Sequence, residues 1–208
     1  RVVVLHGHHL SEHGWTVYNH LRDEFDFTFV VTDHNVTSDA PDAKPHVVAK
    51  SRRGLLPKGR VFDLAALVPG DAYRGLDELL RDADIVHSVE VGPWYSGQAA
   101  MLRPTSRFKL VVTIWETIPL LDAYRRKRAR EYRAATLAHT DLFLPTSERG
   151  RMVMRLEGVE DDRIQVCPYH VDTATFAATP RRPIDTPPLI VSPGRLVWEK
   201  GHQDVLRA

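Results

Sequence analysis

Leu189-Ile190-Val191-Ser192-Pro193-Gly194-Arg195-Leu196-Val197-Trp198-Glu199-Lys200-Gly201-His202 joins a short apolar run to a turn that carries two cations five residues apart. Residues 189–191 read as a buried strand, Pro193-Gly194 as the turn that ends it, and 203–208 as the opening of a helix with Asp204 in its first turn. A strand, a loop and a helix N-terminus in that order gather backbone N–H groups and the positive end of the helix dipole at one place, where Arg195 and Lys200 add two full charges. That chemistry suits an anion. The spacing is neither a Walker loop nor a dinucleotide fingerprint, because G-x-x-x-x-G-K-[ST] and G-x-G-x-x-G are both missing. A plain basic surface loop, with Lys200 solvated and Arg195 paired to Glu199, is the alternative reading.

Upstream of this junction, residues 177–188 hold Pro180, Pro183, Pro187 and Pro188 and show no apolar period, which marks a linker. Beyond the linker only one strand and part of one helix remain. That is less than one βαβ unit and too little to bury its own apolar faces, so the expectation is a fragment lacking most of a second domain rather than a chain completed by a partner. Before the linker, strand-like runs at 1–5, 27–31, 84–86, 109–114, 141–144 and 164–167 alternate with helical patterns at 15–24, 73–81, 94–103, 121–138 and 147–157. The alternation predicts a doubly wound α/β domain with a parallel sheet, the first run being a central strand and ligands binding beyond the carboxyl ends of the strands. Residues 32–59, polar and punctuated by Pro41, Pro45 and Pro57, read as a long loop or a small hairpin. The resulting domains are 1–176, a linker at 177–188, and 189–208 as the start of a second, truncated domain.

Composition narrows the function. The 208 residues are 43% apolar and 26% charged with a formal net charge of +1, so the charge gives no global case for nucleic acid and any basic function must be local. Cys167 is the only cysteine. An intrachain disulfide is therefore impossible, and a reducing compartment, the cytoplasm, fits best. No apolar run approaches the roughly 18 residues of a membrane span. The chain begins at Arg1, directly in a strand-like run, which leaves room for a leader ahead of it.

The octapeptide Gly194-Arg195-Leu196-Val197-Trp198-Glu199-Lys200-Gly201 resembles the G-R-L-x-x-x-K-G segment of family 4 glycosyltransferases. The resemblance implies the GT-B fold, two Rossmann-like domains, with Arg195 and Lys200 binding the diphosphate of a nucleotide-sugar donor. Further matches follow in the family's order. The loop His6-Gly7-His8-His9-Leu10-Ser11-Glu12-His13-Gly14-Trp15 is similar to the glycine-bearing loop after the first strand, with Gly14 at the donor phosphates and His13 where the family commonly has glycine; a plain turn before a helix is the other reading of Gly14. Its four histidines lack a spaced pair on a helix and a cysteine partner, so no metal is expected. Asp84-Ile85-Val86-His87, followed by Gly92-Pro93, resembles the D-[IV]-[IV]-H strand end that would point His87 into the cleft; a hydrogen-bonded structural histidine is its alternative.

Where many relatives end the next strand in His-Asp, this chain has Trp115-Glu116. Trp115 offers a face for a sugar ring and Glu116 an acceptor for hydroxyl protons, against a roof over the core and a helix cap near Pro119. Leu144-Pro145-Thr146-Ser147-Glu148 looks like the V-S-E helix opening. Pro168-Tyr169-His170-Val171-Asp172-Thr173-Ala174-Thr175-Phe176 looks like the P-N-G-V-D-x-x-x-F crossover, with Tyr169 and His170 in place of Asn and Gly. Arg125, Arg126, Lys127, Arg128, Arg130 and Arg133 form a basic helix, and Lys50, Arg52, Arg53, Lys58 and Arg60 crowd the long loop. Several relatives use lipid-linked acceptors, but a solvated face paired to Glu131 is the preferred reading over contact with the inner membrane face.

The resemblance thus implies a retaining, metal-independent, hexosyltransferase-like enzyme that needs no cofactor beyond its nucleotide-diphosphate sugar and moves that sugar to the hydroxyl of a saccharide or lipid-linked acceptor. Glu116 and His87 are the candidates for chemistry, and Trp115, Glu116 and His87 for the acceptor. These 208 residues alone are expected to be inactive. An epimerase or phosphorylase of the same fold and a non-catalytic partner subunit are the other readings.

Overall fold

The computed structural model of the chain describes residues 1–7, 18–32, 46–49, 72–120, 127–169, 173, 190–196 and 198–208. Its contacts divide into two compact units, Arg1–Tyr169 and His170–Ala208.

In the first unit, strands β1 (Val2–Gly7), β2 (Phe27–Thr32), β3 (His46–Ala49), β4 (Ile85–Val89), β5 (Lys109–Ile114) and β6 (Leu142–Pro145) form one sheet in the order β3-β2-β1-β4-β5-β6. Every pairing is parallel. All the carboxyl ends therefore share one edge, and the order reverses between β1 and β4. This is a Rossmann-like parallel α/β sheet. Every residue of β1 and of β2 is buried, as expected of strands covered on both faces. Successive β1 residues feed two separate clusters. Val3 and Leu5 pack with Val30, Val86, Leu110, Val112 and Phe143, whereas Val2 and Val4 pack with Tyr18, Phe27, Phe29 and Val31.

Helices α1 (Leu76–Leu79), α2 (Trp94–Leu102), α3 (Lys127–His139) and α4 (Glu148–Leu156) belong to this unit. Ser147 starts α4 by accepting from the Gly150 N–H at 3.1 Å, an N-cap that the Ser-Glu pair announces. Asp141, just before β6, is a second anchor. Burial opposes its charge, yet the Arg103 guanidinium (2.6 and 2.8 Å), the Leu110 N–H (2.8 Å) and the Lys109 ammonium hold its carboxyl well below the usual carboxylate range.

Helices α2 and α3 touch closely because Gly97 has no side chain: a Cβ there would fall inside the Tyr132 side chain, within 2.5 Å of its ring. Tyr132 is buried and tied by its hydroxyl to Arg128 at 3.0 Å, so it has little room to yield. Gly97→Ala should therefore cost about 2 kcal/mol, as overpacking does. Urea unfolding checks this, and a variant as stable as the parent would count against the packing argument.

Several sequence expectations change. Residues 32–59 were expected to hold no strand beyond a small hairpin; instead His46–Ala49 is a parallel edge strand on β2, with Phe29 level with His46 and Thr32 with Ala49. Its three apolar residues, Val47 to Ala49, are hidden among prolines and form a strand only because β2 offers a free edge. The strand expected at 164–167 is a single bridge, Phe143 to Ile164, continued by the Gln165 and Cys167 N–H groups donating to Phe143 and Pro145 carbonyls at 2.9 Å. The helix expected at 15–24 is, in its described part, one 3-10 turn at Asn19–Leu21, and that at 73–81 shrinks to Leu76–Leu79. Of the helix expected at 121–138, residues 121–126 lie outside the described residues.

The second unit contains a 3-10 turn, Trp198–Lys200, and the one-turn helix α5 (His202–Val205), which starts after left-handed Gly201 (φ +68°) with Asp204 in its first turn. The strand expected at 189–191 is not formed at its described residues: Ile190 and Val191 are 78% and 70% exposed and in no strand. A strand needs a paired neighbour, and none is present in this unit among the described residues. Leu189, the linker and residues 174–188 lie outside the described residues.

Candidate functional site

At the exit of β1 the chain turns at Gly7, whose φ is +61° and whose missing side chain makes room for the Tyr95 ring, 2.6 Å from where a Cβ would stand. Its N–H donates to the Tyr73 hydroxyl at 2.8 Å, and that hydroxyl donates to the Val30 carbonyl at 3.0 Å. Gly7 is the turn glycine that the described residues reveal; the expected one, Gly14, and His8, His9 and His13 lie outside them. A glycine two residues past the apolar run 2–5 is the signal that could have identified Gly7.

On β4, His87 stands level with Val4 of β1 and Val111 of β5. The strand runs on to Val89, so His87 is two residues short of its carboxyl end rather than at it. Nδ1 is 2.6 Å from the Tyr18 hydroxyl and Nε2 is 2.8 Å from Thr113 Oγ1. Burial pushes the imidazole down to about 4, and His6 adds to the shift. Burial also raises the Tyr18 phenol, with Tyr169 nearby, so the pair is neutral at neutral pH. Both ring nitrogens are engaged, and His87 offers no open nitrogen while these contacts stand.

This arrangement makes stability depend on pH. Unfolded, the ring takes its proton near 6.5; folded, it resists until about 4. Between those values the unfolded chain binds more protons. Stability contributed by neutral His87 is complete above 6.5 and falls as the pH drops toward 4, by up to about 1.4 kcal/mol per unit. His87→Gln should flatten this part of the profile in urea titrations across that range. An unaltered slope would show that the His87 ring is not its source.

Beyond β5 lies the pair Trp115-Glu116. Trp115 is 44% exposed, with its ring 6.0 Å from that of Tyr169. Its N–H and that of Glu116 both donate to Glu90 Oε1, at 2.6 and 3.0 Å. Glu116 in turn accepts from the N–H groups of Thr117 and Ile118 through Oε1, each at 2.8 Å. Farther along, the Leu120 N–H donates to Glu157 Oε1 at 2.6 Å. Three carboxylates thus accept the N–H groups of this turn. Glu116 caps it from within, and no bond reaches its second oxygen among the described residues.

Glu90 escaped the sequence reading, because Val89-Glu90-Val91 looks like a strand running on. The structure instead gives it φ +62°, with its own N–H donating to the Thr113 carbonyl at 2.8 Å. Left-handed backbone costs a non-glycine residue about 1 kcal/mol. With all strands parallel, Gly7, Glu90, Trp115-Glu116 and Ser147 follow the ends of β1, β4, β5 and β6 along one edge of the sheet, beside the point where the strand order reverses.

The second unit holds Arg195 and Lys200, both exposed. His202 ties the loop between them: Nδ1 lies 3.2 Å from Ser192 Oγ and Nε2 3.0 Å from the Arg195 carbonyl. Neither cation forms an ion pair with another described residue. Glu199, the sequence-based partner of Arg195, has a side chain outside the described set. The basic helix is narrower than its sequence suggests. Arg133 is buried in an ion pair with Glu157, Arg128 lies against Tyr132, and Lys127 reaches Glu131 at 3.9 Å, while Arg125 and Arg126 lie outside the described residues.

Residues 38–175 match the sequence profile described as Glycosyltransferase Family 4. No curated protein matches the chain. Among solved structures, it is similar to the UDP-GlcNAc 2-epimerase from Methanocaldococcus jannaschii, with 12% identity, a TM-score of 0.50, and coverage of 80% of this chain and 45% of the other. It is also similar to Anabaena Alr3699/HepE, solved in complex with UDP and glucose, with 13% identity, a TM-score of 0.53, and coverage of 86% and 47%. The likeness is one of fold, and the chain spans slightly under half the length of these two structures.

Proposed function

The chain belongs to Glycosyltransferase Family 4, and from that premise we propose that it forms the acceptor side, with the first donor loop, of an enzyme that moves a sugar from a nucleotide-diphosphate sugar to an acceptor hydroxyl. The observation that carries this reading is the carboxyl edge of the parallel sheet, where the turn after β5 offers an exposed indole beside a carboxylate next to the reversal of strand order. Trp115 stacks on a pyranose ring, and Glu116 accepts from its hydroxyls. Arg195 and Lys200 hold the diphosphate, and Gly14 is the third residue proposed to bind it. Transfer needs no metal, because the two side-chain cations neutralise the charge that grows on the leaving diphosphate, and retention is the stereochemistry that the family resemblance implies. Glu116 and His87 are the two candidates for the chemistry, and the contacts of His87 with Tyr18 and Thr113 favour Glu116 as the one with an oxygen left open among the described residues.

Residues 1–176 form the acceptor domain, and 189–208 carry the diphosphate loop of the donor side. The enzyme works in the cytoplasm on a saccharide or lipid-linked acceptor, and any contact with an anionic membrane surface draws on the basic helix and the basic long loop. The likeness in fold to a UDP-GlcNAc 2-epimerase supports a second reading, interconversion of the donor itself.

Both readings are tested by giving the intact protein a panel of UDP-, GDP- and ADP-sugars with free saccharide and lipid-linked saccharide acceptors, and following products by mass spectrometry and anomeric NMR. Transferase action releases nucleotide diphosphate in step with a glycoside of retained configuration, and EDTA has no effect. Conversion of the donor to an epimer without an acceptor selects the second reading. Nucleotide binding without turnover of any donor would sink both.

A further inference from the structure

Glu90 holds a backbone conformation that side chains resist, at the point where β4 leaves the sheet. Its main-chain N–H donates to the Thr113 carbonyl, and one oxygen of its carboxylate accepts from two successive N–H groups, those of Trp115 and Glu116. These bonds fasten the exits of β4 and β5 together. Glycine would take the left-handed conformation without strain. A strained non-glycine residue persists where its side chain does something that glycine cannot, and such positions cluster at functional sites.

We propose that Glu90 is a positioning residue that fixes the turn after β5, so that Trp115 and Glu116 meet a pyranose ligand already oriented. The inference rests on the reading of those two residues as acceptor-binding. One oxygen accepting from two consecutive peptide N–H groups pins two peptide planes at once, through charge-assisted bonds. The side chains leaving those planes then start from fixed directions. Glu116 passes the constraint on, because its own carboxylate is committed to the N–H groups of Thr117 and Ile118. Without Glu90 the first two N–H groups turn to water, the turn gains alternatives, and a ligand must order it on binding. Glu90 itself need not touch the sugar.

The test compares Glu90→Gly and Glu90→Gln in the intact protein. Glycine removes the carboxylate while keeping the backbone conformation unstrained, so the fold is not threatened. Glutamine keeps a side-chain oxygen able to accept from both N–H groups. Amide hydrogen exchange reads the brace directly, and binding of glucose, used as the pyranose probe, is read from the emission change that Trp115→Phe abolishes. In Glu90→Gly, exchange at the Trp115 and Glu116 amides should quicken by about tenfold or more while the interior of β5 is unchanged. Glucose affinity should fall by about fivefold. Glu90→Gln should restore both.

Unchanged exchange at those two amides in the glycine variant overturns the brace, whatever Trp115 binds. Faster exchange with unaltered glucose affinity overturns the positioning role and leaves Glu90 a structural tie. Failure of glutamine to restore either readout overturns the account based on the shared acceptor oxygen. A parent protein whose Trp115 emission ignores glucose overturns the acceptor reading, and the positioning role with it, while the exchange result still judges the brace by itself.

Discussion

Arg133→Met should lower the unfolding free energy by about 3–5 kcal/mol, the usual cost of stranding one partner of a buried ion pair. The side chains of Arg133 and Glu157 are 8% and 3% exposed, and they pair between α3 and the end of α4. Removing the guanidinium leaves the Glu157 carboxylate buried with the Leu120 N–H as its described hydrogen-bond donor. A domain of this size has about 5–15 kcal/mol to lose, so the variant should stand close to its unfolding threshold. The damage should also reach the turn after β5, because Leu120 holds a left-handed φ of +60° and is anchored there by Glu157.

Adding Glu157→Gln to Arg133→Met should recover most of the loss. The neutral amide keeps an acceptor for Leu120 and removes the stranded charge, and exchanging a buried pair for uncharged groups is often nearly neutral. Urea unfolding of the parent, the single variant and the double variant measures both steps. A single-variant loss under about 1 kcal/mol, the size expected of a surface pair, would show that this pair is not desolvated as its burial implies.

What the sequence announced and what it hid differ in physical kind. The bounds of β5 were legible at both ends because Leu110–Ile114 is an unbroken apolar and β-branched run between Lys109 and the Trp-Glu exit. β1 was legible as a central strand for the same reason, and α4 because Ser147 precedes a face of apolar residues. These are local signals. β3 was hidden because four residues after Pro45 become a strand only when β2 presents an edge. Arg133 was counted with a solvated basic face because its partner, Glu157, lies just past the end of another helix. Glu90 was hidden most completely, since its role depends on a positive φ and on N–H groups 25 and 26 residues away. Trp115 and Glu116 were singled out by comparison with a family pattern, but their fixation by Glu90 and by the Glu116 self-cap is a property of the folded turn.

Lys200→Ala should lower kcat of the intact enzyme by a hundredfold or more, about what removal of one preorganised contact to developing charge costs. On the proposed reaction, the diphosphate gains charge as the bond to the sugar breaks, so a cation beside it binds the transition state more tightly than the bound donor. The backbone around Lys200 gives that cation unusual weight. Helix α5 spans only His202–Val205, a single turn, and its dipole is correspondingly small. Compensation of the leaving charge then falls on Lys200 and Arg195, exposed residues of a loop whose neck is tied by His202 to Ser192 Oγ and to the Arg195 carbonyl. Because the effect is concentrated in the transition state, KM for the donor should change far less than kcat. Lys200→Arg should retain part of the rate, since charge survives but its geometry does not. A kcat within about tenfold of the parent in Lys200→Ala, or a loss confined to KM, would remove Lys200 from the leaving group and favour the plain basic loop.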